Sequence, residues 1–225
     1  MRVIAIDGPA ASGKSSTAAG VARALGWAHL DSGALYRAIT LAALDGPDEV
    51  GASPQRLVAL AQALPVRLVL RGGAYRPEVA GVDVGEAIRG ERVTAHVSAV
   101  AAIPAVRDWV NARQREAATS HPQGVVVDGR DIGTVVFPEA PLKVFLTASP
   151  EARAARRLAQ RGTAVSAAEV AREAQALAAR DRADASRAVA PLRAARDAVQ
   201  LDTTTLSFDE QVRRVVALAH ERLGD

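Results

Sequence analysis

Two apolar patterns alternate along this chain. Short apolar runs occur at residues 2–7 (RVIAID), 124–129 (GVVVDG), 142–149 (LKVFLTAS) and 198–202 (AVQLD). Runs of this kind, bounded by turn residues, predict strands buried on both faces, as in the middle of a parallel sheet. A further short strand is expected at 27–31. Between the strands, apolar residues recur at helical spacing. The spacing predicts a helix over 15–25, with Val21 and Leu25 on one face and Gly26 as its end. A second helix, from about Ser32, carries Leu35, Ile39 and Leu44 toward the core. Ser53-Pro54 opens a short helix that stops before Pro65. Residues 91–118 are helical by pattern and divided at Pro104.

The last third is punctuated by caps. Ser149-Pro150 opens one helix, and Ser166 with Glu169 and Ser207 with Glu210 form two capping boxes. Residues 160–165, which include Gly162, are a polar break. The final helix aligns Phe208, Val212, Val215, Ala219 and Leu223. Residues 65–85 differ: VRLVL, Gly72-Gly73 and YRPEVAGVDV predict a small antiparallel hairpin or meander. Strand and helix otherwise alternate throughout. The expected fold is α/β, a doubly wound parallel sheet flanked by helices with a small antiparallel β insert.

Composition narrows this to one domain over residues 1–225, with 49% hydrophobic residues for its core. There is no cysteine, hence no disulfide and no thiolate metal site. The opening MRVIAID is too short for a secretory leader, and no apolar stretch approaches a membrane span. These point to a cytoplasmic protein without a membrane partner. Net charge is +3 and the isoelectric point is near 9.9, but aromatics are only 3%, which leaves no stacking platform for single-stranded nucleic acid. Nucleic acid is therefore not an expected partner. Ten arginines fall between Arg153 and Arg196, a concentration suited to a substrate with several phosphates.

The most specific chemistry follows the first strand. Residues 8–15 read GPAASGKS, a glycine, four free positions, then glycine, lysine and a hydroxyl residue. This is the pattern of a phosphate-binding loop (P-loop). Gly8, Pro9, Ala10, Ala11, Ser12 and Gly13 supply a backbone that wraps a polyphosphate, followed by Lys14, Ser15 and Ser16 at the positive end of a helix. Lys14 is a point charge for the terminal phosphates, and the Ser15 hydroxyl suits a magnesium ion. A nucleoside triphosphate with Mg2+ is the expected ligand. A regulatory GTPase would also need an Asn-Lys-x-Asp guanine reader; the chain's one asparagine, Asn111, precedes Ala112.

Four further stretches carry more polar detail than folding needs: DSGALYR at 31–37, HVSAVAAIPAVR at 96–107, DGRDIGTVVFP at 128–138 and RDRADASRAVAPL at 180–192. Together with the loop they resemble the bacterial cytidylate kinases, a family of P-loop nucleoside monophosphate kinases. The resemblance runs nearly end to end and includes the β insert, placed at 65–90 on the monophosphate side. It implies transfer of the γ-phosphoryl group of ATP to CMP or dCMP, in a monomer. It implies contacts to CMP from Ser32, Arg37, Arg107, Arg130, Arg180 and Arg187. Among these, Arg37, Arg130 and Arg187 would bind phosphate, and Arg180 would lie near phosphate and ribose. Asp184 would partner the ribose hydroxyls, and Ser98, Arg107 and Asp131 would read the base. A mobile arginine-rich lid is implied at about 153–187, with Arg153 and Arg157 joining Lys14 and Arg130 as catalytic charges.

Chemistry agrees with the base assignment. Cytosine offers a 4-amino donor beside two acceptors, which a carboxylate and a guanidinium match. Uracil would face Asp131 with a carbonyl and no proton between them. Asp128 ends an apolar run at the sheet edge where ligands bind in open α/β folds, and a water-mediated magnesium role is expected there. Arg182 reads as surface. The four histidines lack ligand spacing, and Trp27 and Trp109 read as packing residues.

Overall fold

The computed structural model describes residues 2–46, 53–162 and 166–224. In chain order the elements are β1 (Val3–Asp7), α1 (Lys14–Leu25), β2 (Ala28–Asp31), α2 (Gly33–Asp45), α3 (Pro54–Ala63), β3 (Arg67–Arg71), β4 (Ala74–Val79), β5 (Val82–Asp83), α4 (Glu91–Val100), α5 (Pro104–Thr119), β6 (Val125–Gly129), β7 (Leu142–Thr147), α6 (Pro150–Gln160), α7 (Ala167–Ala185), β8 (Val199–Asp202) and α8 (Phe208–Leu223). The polar break expected at 160–165 lies partly outside the described residues. The chain forms two compact units, one of Gly26–Val125 and one of Arg2–Leu25 with Val126–Asp225.

The second of these units carries strands in the order β6-β1-β7-β8. β1 pairs in parallel with β7, Ile4 opposite Leu142, and β7 pairs in parallel with β8, Val144 opposite Val199. β1 is buried along its whole length, as its unbroken apolar run requires. α8 packs on α1 and β7, with Val215 and Ala219 buried. Phe208 is more exposed than an apolar stripe predicts, because it stands at the first turn of the helix. Both capping boxes form: Ser166 and Ser207 accept from the N–H groups of Glu169 and Glu210, whose carboxylates accept in return.

The Gly26–Val125 unit packs α2, α3, α4 and α5 around Leu35, Ile39, Leu57, Val100, Val106 and Val110. Leu44 is only half-buried. Pro104 separates α4 from α5 and occupies the first turn of α5, where its missing N–H costs nothing. The insert is more than a surface hairpin. β3 and β5 both pair antiparallel with β4, and β4 pairs in parallel with β2, so within this unit the meander is joined to β2. His29 N–H donates to Gly73 O at 2.9 Å at that junction. Trp27 is buried against Gly124, where a Cβ would lie 2.7 Å from the indole.

Candidate functional site

In the unit that contains β1, the loop at 8–13 turns directly out of the strand. Gly8 has φ +158°, and a Cβ there would lie 2.4 Å from Leu146 O, so only glycine lets the loop sit on β7. Gly13, at φ +91°, starts the turn into α1, and Thr17 N–H donates to its carbonyl at 2.9 Å. The loop is tied from several sides. Thr203 Oγ1 donates to Ser12 O at 3.1 Å, and Arg156 donates to Thr203 Oγ1 at 2.9 Å. Thr17 Oγ1 donates to Gln211 Oε1 at 2.9 Å. Lys14 is buried and its Nζ donates to Pro9 O at 3.1 Å, which folds its charge over the loop.

The two expected magnesium residues meet. Ser15 Oγ donates to Asp128 Oδ2 at 2.5 Å, and Asp128, at the carboxyl end of β6, is 1% exposed. A hydroxyl beside a carboxylate is the hard oxygen pair that magnesium takes when substrate phosphates and water complete its shell. Among the described residues no cluster of three His, Asp or Glu forms a cage by itself.

After β6 the chain makes a single wide turn at Ile132–Val136. It is held by Asp7, whose carboxylate accepts from Ile132 N–H at 2.9 Å and Gly133 N–H at 2.8 Å. Burial pushes the Asp7 carboxyl up to about 6, against those two N–H donors; the Asp131 charge adds to the rise and Lys14 opposes it. Asp131, also buried, opens that turn.

Arg130 leaves the same segment and donates from Nε to Asp184 Oδ2 at 2.9 Å. Arg187 donates to the other oxygen of Asp184, a residue 2% exposed at the end of α7. Arg180 is close enough to both for burial, then Arg130, to pull its guanidinium below the ordinary arginine value, while Asp184 opposes. Its Nε has no hydrogen-bond partner among the described residues. Three guanidinium groups thus surround one carboxylate, an excess of positive charge that suits an anion. Arg182 is exposed, as expected of a surface residue.

The arginines of α6 and of its C-terminal cap are not alike. Arg153 and Arg156 are bonded to the loop or its support, and Arg161 pairs with Glu173 at 2.9 Å. Arg157 lies within electrostatic reach of Arg180.

The Gly26–Val125 unit holds the remaining expected residues. Ser32 starts α2 and is buried, and its carbonyl accepts from Gln114 Nε2 at 3.2 Å. Arg37 donates to Ile88 O and Thr94 Oγ1, both at 3.1 Å. Arg107 is 2% exposed, donates to Ala101 O at 3.0 Å and lies 5.6 Å from the centre of the Tyr36 ring. Ser98 is half-buried on α4.

Three residues that the sequence analysis did not single out belong beside these. Asp7 ends β1, Asp128 stands next to last in β6, and each precedes a glycine; that repetition was the available signal. Gln114 follows Arg107 by two helical turns on a face otherwise packed with Val106 and Val110, a polar break in an apolar stripe. Asp181 accepts from Ala10 N–H at 2.9 Å across 171 residues, and no local pattern announces it.

Comparison with known proteins covers the same stretches in one alignment. The cytidylate kinase family model matches residues 4–221. A cytidylate kinase of Pseudomonas fluorescens (strain SBW25) is 46% identical over 217 residues, 96% of this chain and 93% of that protein. One of Stutzerimonas stutzeri (strain A1501) is 47% identical over 229 residues, 98% of this chain and 96% of that protein. One of Streptomyces avermitilis is 44% identical over 220 residues, 98% and 93% of the two chains. With its phosphate loop, its paired Ser15 and Asp128 and its arginine cluster all inside these matches, the chain belongs to the cytidylate kinase family.

Proposed function

We propose that this protein transfers the γ-phosphoryl group of ATP to CMP or dCMP, giving ADP and CDP or dCDP. The observation that carries the reading is the cluster of Arg130, Arg180 and Arg187 around buried Asp184, an anion site additional to the phosphate loop in the same unit. A kinase that phosphorylates a nucleotide needs two places for phosphate, and a hydrolase or switch needs one.

Residues 8–16 hold the triphosphate, and Lys14 neutralises charge on the group in transit. Ser15 and Asp128 are the residues that would hold Mg2+, which would supply a counter-charge to the triphosphate. Arg37, Arg130 and Arg187 take the CMP phosphate, Arg180 and Asp184 lie toward the ribose, and Ser32, Ser98, Arg107 and Asp131 take the nucleoside. Both oxygens of Asp184 accept from arginines here, so a ribose contact requires one of those bonds to be shared. The acceptor phosphate is already anionic near neutral pH, so no general base is needed. The chain's work is to align, to neutralise and to exclude water. Arg157, with its lid segment, closes over the transferred group. The protein acts as a cytoplasmic monomer in pyrimidine nucleotide metabolism, without a nucleic-acid partner. Among the described residues no helix is long and apolar enough to cross a membrane.

A coupled assay of ADP release with CMP, dCMP, UMP and AMP tests the reading. CMP or dCMP should turn over fastest, and fastest turnover of UMP or AMP would overturn it. Asp131→Ala should cut the preference for CMP over UMP by about 100-fold while sparing ATP binding. Equal losses for both nucleotides would make Asp131 a structural residue.

A further inference from the structure

One residue of the phosphate loop is bracketed by an ion pair drawn from two other helices. Ala10 N–H donates to Asp181 Oδ1 at 2.9 Å, and Ala10 O accepts from Arg153 Nη1 at 3.1 Å. The same Arg153 nitrogen donates to Asp181 Oδ2. Arg153 stands in the first turn of α6 and is 7% exposed; Asp181 stands near the end of α7. Ala10, Ala154 and Leu177 pack together beside the pair and seat both helices on the loop. The next residue, Ala11, has φ +58°, a left-handed conformation that an alanine keeps only when its neighbours hold it.

We infer that the Arg153–Asp181 pair is a positioning device for the phosphate loop, and that Arg153 acts through the loop backbone and not on a phosphate. The inference rests on reading residues 8–15 as the ATP loop. The pair binds both the N–H and the C=O of one residue, which sets the peptide planes on either side of Ala10 and the left-handed turn at Ala11. The following N–H groups then converge before nucleotide arrives. The pair is also neutral as a whole. Asp181 without its arginine would put a bare carboxylate against a loop built for anions and repel the polyphosphate.

Isothermal calorimetry with a non-hydrolysable ATP analogue and with CMP, together with steady-state kinetics, tests this on the full chain. Arg153→Met should weaken analogue binding by about 10- to 100-fold, and Asp181→Asn, which keeps an acceptor for Ala10 N–H, by about 3- to 10-fold. The double variant should bind the analogue better than Arg153→Met alone, because the bare carboxylate is gone. CMP affinity should stay within about threefold of the parent. A loss of about 100-fold in kcat for Arg153→Met with analogue affinity intact would overturn the inference and make Arg153 a direct phosphate contact. Additive losses in the double variant would also overturn it. Should Arg153→Met fail to fold, Asp181→Asn decides alone: unchanged analogue affinity overturns the inference. If the parent protein itself bound no analogue, the proposed function would fall and this inference with it; if the parent binds and the variants bind equally, only the inference falls.

Discussion

The phosphate loop and the arginine cluster both suit anions, and they are built in opposite ways. The loop at 8–15 offers backbone N–H groups, and its side chains are mostly small. Its shape is imposed from outside by Leu146, Thr203, Gln211, Arg153 and Asp181. The cluster offers side chains, and its shape is imposed from inside by one buried carboxylate, Asp184. A backbone site tolerates change at its free positions and is sensitive to whatever holds the chain in place. A side-chain site is sensitive at each of its own residues. The loop suits a group that all triphosphates share, and the cluster suits one particular acceptor.

The sharpest way to break the contrast is at the one indispensable side chain of the loop. Lys14→Met should lower kcat by roughly 1000-fold while an ATP analogue still binds, since the backbone that holds it is intact. Loss of analogue binding with kcat preserved would mean the lysine is an anchor and not a charge on the group in transit.

Asp184→Ala is the corresponding cut in the cluster. It leaves two guanidinium groups with little exposure and no carboxylate between them, and removing one partner of a buried pair costs about 3–5 kcal/mol. Denaturant unfolding measures this. Added sulfate should restore the variant more than the parent, because a bound anion replaces the lost carboxylate. An equal response in the two would show that the arginines do not form an anion site.

Asp7 touches both regions, since its strand leads into the loop and its carboxylate holds the turn beyond Arg130 and Asp131. Its carboxyl titrates at about 6 in the fold against 3.8 as the ordinary value, chiefly through burial. Between those values the folded state binds more protons than the unfolded state, so this group's contribution to stability falls as pH rises from 3.8 to 6, and the deficit persists above 6. At 1.36 kcal/mol per pKa unit the effect is about 3 kcal/mol. Unfolding free energies of the parent and of Asp7→Asn, measured from pH 4 to 7, should diverge by that order, with the parent losing ground as pH rises. A constant difference across the range would remove Asp7 as the source.

The contrast between the regions also explains what could be read from the chain. Residues 8–15 are contiguous, and each fixed position answers a local demand: a close approach at Gly8, a charge at Lys14, a hydroxyl at Ser15. The capping boxes at Ser166 and Ser207 and the break at Pro104 are local in the same sense, and the helices start and stop there. The hairpin at 65–85 was legible as strands, but its pairing with β2 was not. A meander carries no mark of which edge it joins, and the parallel contact at His29 and Ala74 links segments 45 residues apart. Arg153 shows the same limit. Its position in an arginine-rich helix resembled a lid charge, and only the packing of α6 and α7 on Ala10 shows the side chain bonded to the loop.

By itself the sequence determined the order of strands and helices, the phosphate loop and the residue types at each candidate contact, because these depend on periodicity, caps and contiguous motifs. The tertiary structure alone decided which charges are shared. That Asp184 accepts from two arginines, that Asp7 clamps a distant turn, and that Arg153 bonds a peptide group of the loop all turn on contacts between residues far apart in the chain. Such contacts set burial and charge partners, and those two quantities are what determine the chemistry of an ionisable side chain.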